Sequence, residues 1–203
     1  MNFLAVDTSG KYMSVIAYAQ GKAFKRFLPD CALKHSVVLM QEIDAAFKLA
    51  NISPKDCDFF AAGSGPGSFT GIRIGLSTVK GMCVALEKPA LAVTAFDTLA
   101  YAEGSVPLLA LVDAGHDCFY ACGYDKEKNV VLAPAFLSHG EVDSLIASGF
   151  TPVAASQLFD GCLVAEPCEG LLAAVLKKQG DLLTPSALSA LYLRKSSAEE
   201  NRV

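Results

Sequence analysis

Short apolar runs bounded by turn residues alternate along this chain with two long stretches of helical spacing. Residues 2 to 8 carry Phe3, Leu4, Ala5 and Val6 and end in the turn sequence Asp7-Thr8-Ser9-Gly10. A second run follows at Tyr12 to Ala19, and after Gln20-Gly21 a third at Lys22 to Leu28. Strands joined by such tight turns predict a three-stranded antiparallel meander. From Lys34 to Asn51 the period changes, and Leu39, Ile43, Ala46 or Phe47, and Ala50 share one helical face. Val37, Val38 and Met40 widen that stripe beyond what a helix on one side of a sheet requires. Such width fits either a deeply buried helix or a partner surface. Ser53-Pro54 opens a short connection, and Cys57 with Phe59 to Ala62 forms a fourth strand that stops where glycines begin.

From Thr70 to Leu86 helical spacing returns, through Ile72, Leu76, Val79, Cys83 and Leu86, with Ser68 or Thr70 placed to cap it. Gly71, Gly75 and Gly81 each cost this helix about 1 kcal/mol relative to alanine. They predict a close neighbour, and a second helix backbone is the expected one. Pro89 ends the element; a strand at Ala90 to Val93 and a short helix at Phe96 to Ala102 follow. Around Gly104-Ser105 the order starts again, with strands at Val106 to Val112, Cys118 to Tyr124 and Val130 to Leu132, the first ending in Asp113-Ala114-Gly115. A helix at Glu141 to Ser148, a strand at Pro152 to Ala155 and a helix at Gly170 to Gln179 complete it. The repetition predicts two domains on one plan, residues 1–103 and 104–185, the second smaller and without a glycine-rich loop of its own. In the tail, 186–203, Leu188 to Arg194 is expected to pack back and the polar residues from Lys195 to fray.

Composition narrows the picture. Of 203 residues 52% are hydrophobic and 19% charged, enough to fill a core and too apolar for disorder. Net charge is −4 and the 17 basic residues are scattered, so no basic stripe announces nucleic acid as a direct partner. Seven cysteines contain no CxxC pair and lie mostly in apolar segments, which fits a reduced, cytoplasmic compartment. No signal-peptide pattern and no uninterrupted apolar span of membrane length is expected.

The candidate chemistry centres on Gly63 to Gly75, GSGPGSFTGIRIG, which holds five glycines. Such a turn at a helix N-terminus presents backbone donors and a positive dipole end, the generic phosphate cradle. It matches neither the dinucleotide fingerprint nor the Walker loop, since no Lys-Ser/Thr pair follows. A structural turn and a ligand cradle both stay open. Asp7 likewise has two readings: an Asx turn closed by its own carboxylate, or a carboxylate aimed at a metal-bound phosphate. His35, His116 and His139 have no ligand spacing, and Ser64 and Ser68 sit in no Gly-x-Ser-x-Gly frame, so neither a metal site nor a hydrolase triad is expected.

The strand Phe3-Leu4-Ala5-Val6-Asp7-Thr8-Ser9, the helix start His35-Ser36, the long glycine motif through Arg73 and Gly75, and the tail Tyr192-Leu193-Arg194 together resemble the TsaB (formerly YeaZ) family. The resemblance implies an α/β actin-like/Hsp70-like ATPase (ribonuclease H-like) fold of two related domains, the second degenerate. It implies a non-catalytic scaffold subunit that binds a TsaD-type transferase and a TsaE-type ATPase in the complex that puts threonylcarbamoyl on an adenosine beside the tRNA anticodon. On this reading tRNA is met only through the complex, the chain pairs with itself when alone, and no cofactor is required. The implied partner face is the helix pair 34 to 51 and 70 to 86, with Val37, Met40, Ile74 and Val79 in apolar contact and Gly71 and Gly75 permitting a close crossing. TsaD-type relatives carry a metal-binding His-x-x-x-His pair where this chain has His35 and Leu39. The implied remnant of a nucleotide site is Asp7, Thr8, Gly65, Gly67, Ser68 and Asp113. Because Asp113-Ala114-Gly115 looks like an intact phosphate turn, weak nucleotide binding stays open, as does an active small-molecule kinase or glycoprotease-like hydrolase of the same fold.

Overall fold

The computed structural model describes residues 1–104 and 106–193. Strands β1 (Phe3–Asp7), β2 (Met13–Ala19), β3 (Lys22–Leu28), β4 (Phe59–Gly63) and β5 (Ala90–Val93) form one sheet in the order β3-β2-β1-β4-β5. The meander β1, β2, β3 is antiparallel, whereas β4 and β5 add in parallel through helical crossovers. On one face Leu4, Val6, Phe60 and Ala62 meet α1 (His35–Ala50) and α2 (Phe69–Leu86). The opposite face carries Phe3, Ala5, Phe59 and Ala61. With both faces covered, β1 and β4 are buried at every position, so each reads as an unbroken apolar run rather than an alternation.

The second sheet runs β10-β9-β6-β7-β8, from β6 (Leu108–Gly115), β7 (Cys118–Tyr124), β8 (Val130–Ser138), β9 (Thr151–Ala154) and β10 (Leu163–Val164). Read from the other edge, this is the order and the mixture of directions of the first sheet. Helix α3 (Ala95–Ala102) covers one face, through Phe96, Leu99 and Ala100, and α4 (His139–Ala147) covers the other, through Val142. These two mixed sheets with their helices are the α/β actin-like, ribonuclease H-like arrangement. Among the described residues β9 and β10 are joined without a helix, so the second sheet has nothing corresponding to α2.

Two expectations change. Helix α5 (Pro167–Lys178), placed by its sequence position with the second sheet, lies on the first: Cys168, Leu171, Ala174 and Val175 pack among Phe3, Ala5, Ile16 and Phe59. Lys25 on β3 reaches Glu169 on α5 at 2.6 Å and holds the same contact from the rim. α3 makes the reverse exchange. The two halves therefore trade a helix, which an amphipathic pattern cannot reveal because either sheet satisfies the same apolar face. The second difference is β8, which continues past Leu132 to Ser138 as an exposed edge that includes Pro134.

The C-terminal segment returns to the first sheet. Leu183 and Ala90 exchange backbone hydrogen bonds at 2.7 and 2.9 Å, Leu188 is buried in the first core, and the Leu191 amide donates to the Ser64 carbonyl at 2.8 Å. Beyond Leu188 and Ala190 the side chains of Leu191 and Leu193 pack against the core of the second sheet; Arg194, the polar end from Lys195, and Ser105 lie outside the described residues. By length and composition α2, with a mean hydropathy of 1.2, could cross a membrane, although Arg73 and Lys80 interrupt its apolar run. Here Ile72, Leu76, Val79 and Cys83 seat it on the sheet.

Candidate functional site

The turn after β1 and the glycine motif before α2 close on each other. Asp7, Thr8 and Ser9 are all buried. The Asp7 carboxylate accepts from the Ser9 amide at 2.8 Å, forming an Asx turn, and from the Tyr12 hydroxyl at 3.1 Å. The Thr8 hydroxyl donates to the Gly71 carbonyl at 2.7 Å, and the Ser68 amide donates to the Ser9 carbonyl at 2.7 Å. Ser68, not Thr70, caps α2, its hydroxyl accepting from the Gly71 amide at 3.2 Å.

The motif glycines explain the closeness. A side chain at Gly71 would run into the Thr8 carbonyl, one at Gly75 into the Thr8 hydroxyl, and one at Gly67 into the Ser9 carbonyl. Gly67 in addition has a φ of 155°. The neighbour that requires small residues in α2 is therefore the β1–β2 turn, which corrects the expectation of a crossing helix. A close helix crossing does exist elsewhere: α5 meets α3 where Gly170 faces the Thr98 carbonyl. At Gly81, exposed on α2, an added side chain would meet nothing of this chain.

This arrangement bears on phosphate and metal chemistry. The backbone of Gly67 and Ser68 is packed against Ser9, and the Asp7 oxygens are already bonded to Ser9 and Tyr12. Burial, reinforced by the Asp7 charge, pushes the Tyr12 phenol well above its ordinary value, so Tyr12 stays a hydrogen-bond donor to Asp7 at neutral pH. The donor set does not fit a phosphate without displacing the chain's own turn. Gly65, the remaining member of the expected remnant, has the Leu191 carbonyl and the Ile72 side chain beside it. Asp113 lies apart on the second sheet, exposed, with its carboxylate accepting from the Gly115 amide at 2.8 Å. His35 is buried with Nε2 at 3.2 Å from the Gly10 carbonyl, and Leu39, one turn on, is in the core. That pair offers a metal one imidazole and a hydrocarbon, which does not fit a metal site.

The serines are similarly engaged. Ser64 is buried and donates to the Val93 carbonyl at 3.2 Å, and Ser68 is the helix cap. Burial raises the Cys83, Cys122 and Cys168 thiols to about 11 and Cys57 to about 12, which keeps them protonated.

The outer side of α1 and α2 is different. Val37 is 69% exposed and Met40 54%, with Ile74 half-buried beside them. Between the helices lies an open groove of about 570 Å³ whose walls include Met40, Phe69, Arg73, Ile74 and Ser77. Val79, expected on this face, is fully buried against the sheet, as are Gly71 and Gly75, so these three are not available at the surface. At the groove's end Arg73 lies over the Phe69 ring at 3.6 Å and its Nε donates to the Tyr192 hydroxyl at 3.2 Å; Phe69 and Tyr192 are stacked. The sequence gives Tyr12 no role and holds Arg73 and Tyr192 in separate motifs without joining them. Tyr12, five residues beyond Asp7 across a tight turn, was legible; Tyr192 meeting Arg73 was not, since 119 residues separate them.

Comparison with known proteins now decides the family. The family model described as "TsaD: tRNA N6-adenosine threonylcarbamoyltransferase" matches residues 14–160. The solved "YeaZ from Pseudomonas aeruginosa" superposes with a TM-score of 0.76 over 94% of this chain and 100% of that one, at 26% identity. The chain belongs to this family, in its TsaB (YeaZ) branch. The tRNA threonylcarbamoyladenosine biosynthesis protein TsaB of Escherichia coli (strain K12) is 29% identical over 145 residues, 70% of this chain and 60% of that protein. A tRNA N6-adenosine threonylcarbamoyltransferase of Prosthecochloris aestuarii is 33% identical over 103 residues, 44% of this chain and 30% of its own length. The matched stretches thus span less than two thirds of these curated relatives, 60% and 30% of their lengths.

Proposed function

We propose that this chain is a non-catalytic subunit of tRNA threonylcarbamoyladenosine biosynthesis that acts by docking. Its partner is a TsaD-type transferase of the same fold, bound through the exposed face of α1 and α2. A TsaE-type ATPase joins that assembly, tRNA is met through it, and the free chain pairs with itself through the same face in the cytoplasm. The observation that carries this reading is the contrast at α2. Its inner side holds the β1–β2 turn shut, with Asp7 bonded to Tyr12 and Ser9, while its outer side shares a groove with Leu39 and Met40 of α1, the helix on which Val37 is exposed. A subunit that needed nucleotide would keep the turn open; a subunit that docks needs the groove. The TsaB and transferase names of its relatives supply the pathway.

Light scattering after size exclusion, on the chain alone and mixed with the transferase paralogue from the same cell, tests it. The expected result is a mixed complex that forms without nucleotide on this chain and replaces the self-pair. Val37→Arg should abolish the complex with unchanged thermal stability, since an unpaired charge buried in a contact costs several kcal/mol of association, roughly 3 to 5. No complex with the wild-type chain, or one indifferent to Val37→Arg, would sink the proposal.

A further inference from the structure

The docking reading leaves one exposed group unexplained: Arg73 is held rigidly at the end of the groove, although nothing among the described residues pairs with its charge. Its guanidinium plane lies 3.6 Å over Phe69, and its Nε is bonded to the Tyr192 hydroxyl at 3.2 Å. Tyr192 is itself stacked on Phe69 at 5.0 Å, and the tail that carries it is pinned by Leu191 to Ser64 at 2.8 Å. Stacking and the Nε bond fix the side chain's torsions, which removes much of the ordering entropy that an arginine otherwise loses on binding. Arg73 is exposed, and among the described residues its two terminal nitrogens have no ion-pair partner, which leaves the guanidinium fork to take a carboxylate through two parallel hydrogen bonds.

Resting on the docking function above, we infer that Arg73 is a pre-assembled carboxylate receptor, and that the partner is a protein presenting an Asp or Glu beside an apolar helix face. Charge selects against the alternatives. Residues 69–86 contain Arg73 and Lys80 and no acidic residue. A second copy meeting this face through its own α2 therefore brings two further cations and no carboxylate from that helix; the acids of the face lie on α1, where Glu42 is paired with Arg26 and Asp44 is exposed. A partner with an acid facing α2 gains attraction where an α2-to-α2 self-pair has repulsion, which gives this helix a preference for a different chain. Nucleic acid is the weaker match, because Met40 and Ile74, which line the groove with Arg73, present hydrocarbon rather than further cations.

The test titrates the transferase paralogue against the full-length chain and its Arg73→Ala, Arg73→Lys, Arg73→Glu and Tyr192→Phe variants at low and high salt, each first checked for unchanged thermal unfolding. Arg73→Ala should weaken binding about tenfold or more. Arg73→Lys should recover little of that loss because it restores the charge and not the fork, Arg73→Glu should abolish binding, and Tyr192→Phe should fall between wild type and alanine. Wild-type affinity in Arg73→Ala, with Val37→Arg still disruptive, overturns this inference and leaves the docking function standing. No binding by the wild-type chain fails the docking function itself. A self-pair that dissociates in Arg73→Glu as readily as the mixed complex would place the carboxylate on a second copy and overturn the preference. Retention of tRNA by the chain alone, lost in Arg73→Ala, would overturn it in favour of nucleic acid.

Discussion

The two sheets repeat one plan, and each has an aspartate turn after its first strand, yet the turns live in different surroundings. Asp7 and Asp113 close the same Asx turn, accepting from the amide two residues on at 2.8 Å in each case. Around Asp7 stand Tyr12, the Thr8 bond to Gly71 and the Ser68 bond to Ser9; around Asp113 the turn stands in solvent. The difference is α2. Where a glycine-bearing helix follows the fourth strand, the turn is roofed and becomes part of the core; where the fourth and fifth strands are joined directly, the same local sequence device stays at the surface. A turn's motif therefore states its local hydrogen bond and leaves its environment to the element packed over it.

Substitutions that attack the roof should do most damage. Gly71→Leu drives a side chain into the Thr8 carbonyl on a buried face, and the expected loss, about 4 kcal/mol or more, should leave little folded protein in a soluble-expression and thermal-unfolding assay. Asp7→Ala leaves the Tyr12 hydroxyl and the Ser9 amide without an acceptor, for a loss of about 2 to 4 kcal/mol in denaturant unfolding. Tyr12→Phe removes one of those bonds and should cost about 1 to 2 kcal/mol. Asp113→Ala, the matching change in the open turn, should lie within about 0.5 kcal/mol of wild type. If Asp7→Ala and Asp113→Ala cost the same, the contrast between roofed and open turns is wrong.

The smallest effect sharpens the comparison on the open side. Glu141 caps α4 by accepting from the Ser138 hydroxyl at 2.7 Å and the Ser138 amide at 2.8 Å, and these bonds hold its carboxyl below the usual glutamate range. A depressed folded value means that the cap contributes above the unfolded glutamate value and is lost as pH falls through the folded one. Carbon secondary shifts at 139–142 should therefore lose helical character between about pH 5 and pH 3, and Glu141→Gln should flatten that dependence.

Much of this was legible in the chain, and the exceptions share a cause. The meander, α1 and α2 follow from the spacing of apolar residues, because both sides of the first sheet are filled and every inward position had to be apolar. The extension of β8 past Leu132 left little trace, since on this edge strand Leu132 and Leu137 are only half-buried against the core and Pro134 counts against a strand. Val79, which the resemblance places on the partner face, is covered by the sheet; periodicity gives a helix's stripe without saying what covers it. Gly71 and Gly75 were rightly read as marking a close approach, but a missing side chain does not identify its neighbour, and that neighbour is Thr8. The Arg73 cluster needed the tail's path across Ser64, a contact of high sequence separation that no local pattern encodes.

The helix exchange has a consequence for synthesis on the ribosome. Phe3, Ala5, Ile16 and Phe59 are made early, but the helix that covers them begins at Pro167, and the tail that reaches Ser64 and the first core comes later still. One side of the first sheet must wait, bare and apolar, until most of the polypeptide has emerged. At about 5 to 20 residues per second that is several seconds of exposure, a window in which nascent-chain chaperones have a defined surface to hold and in which a truncated message yields a product prone to aggregate.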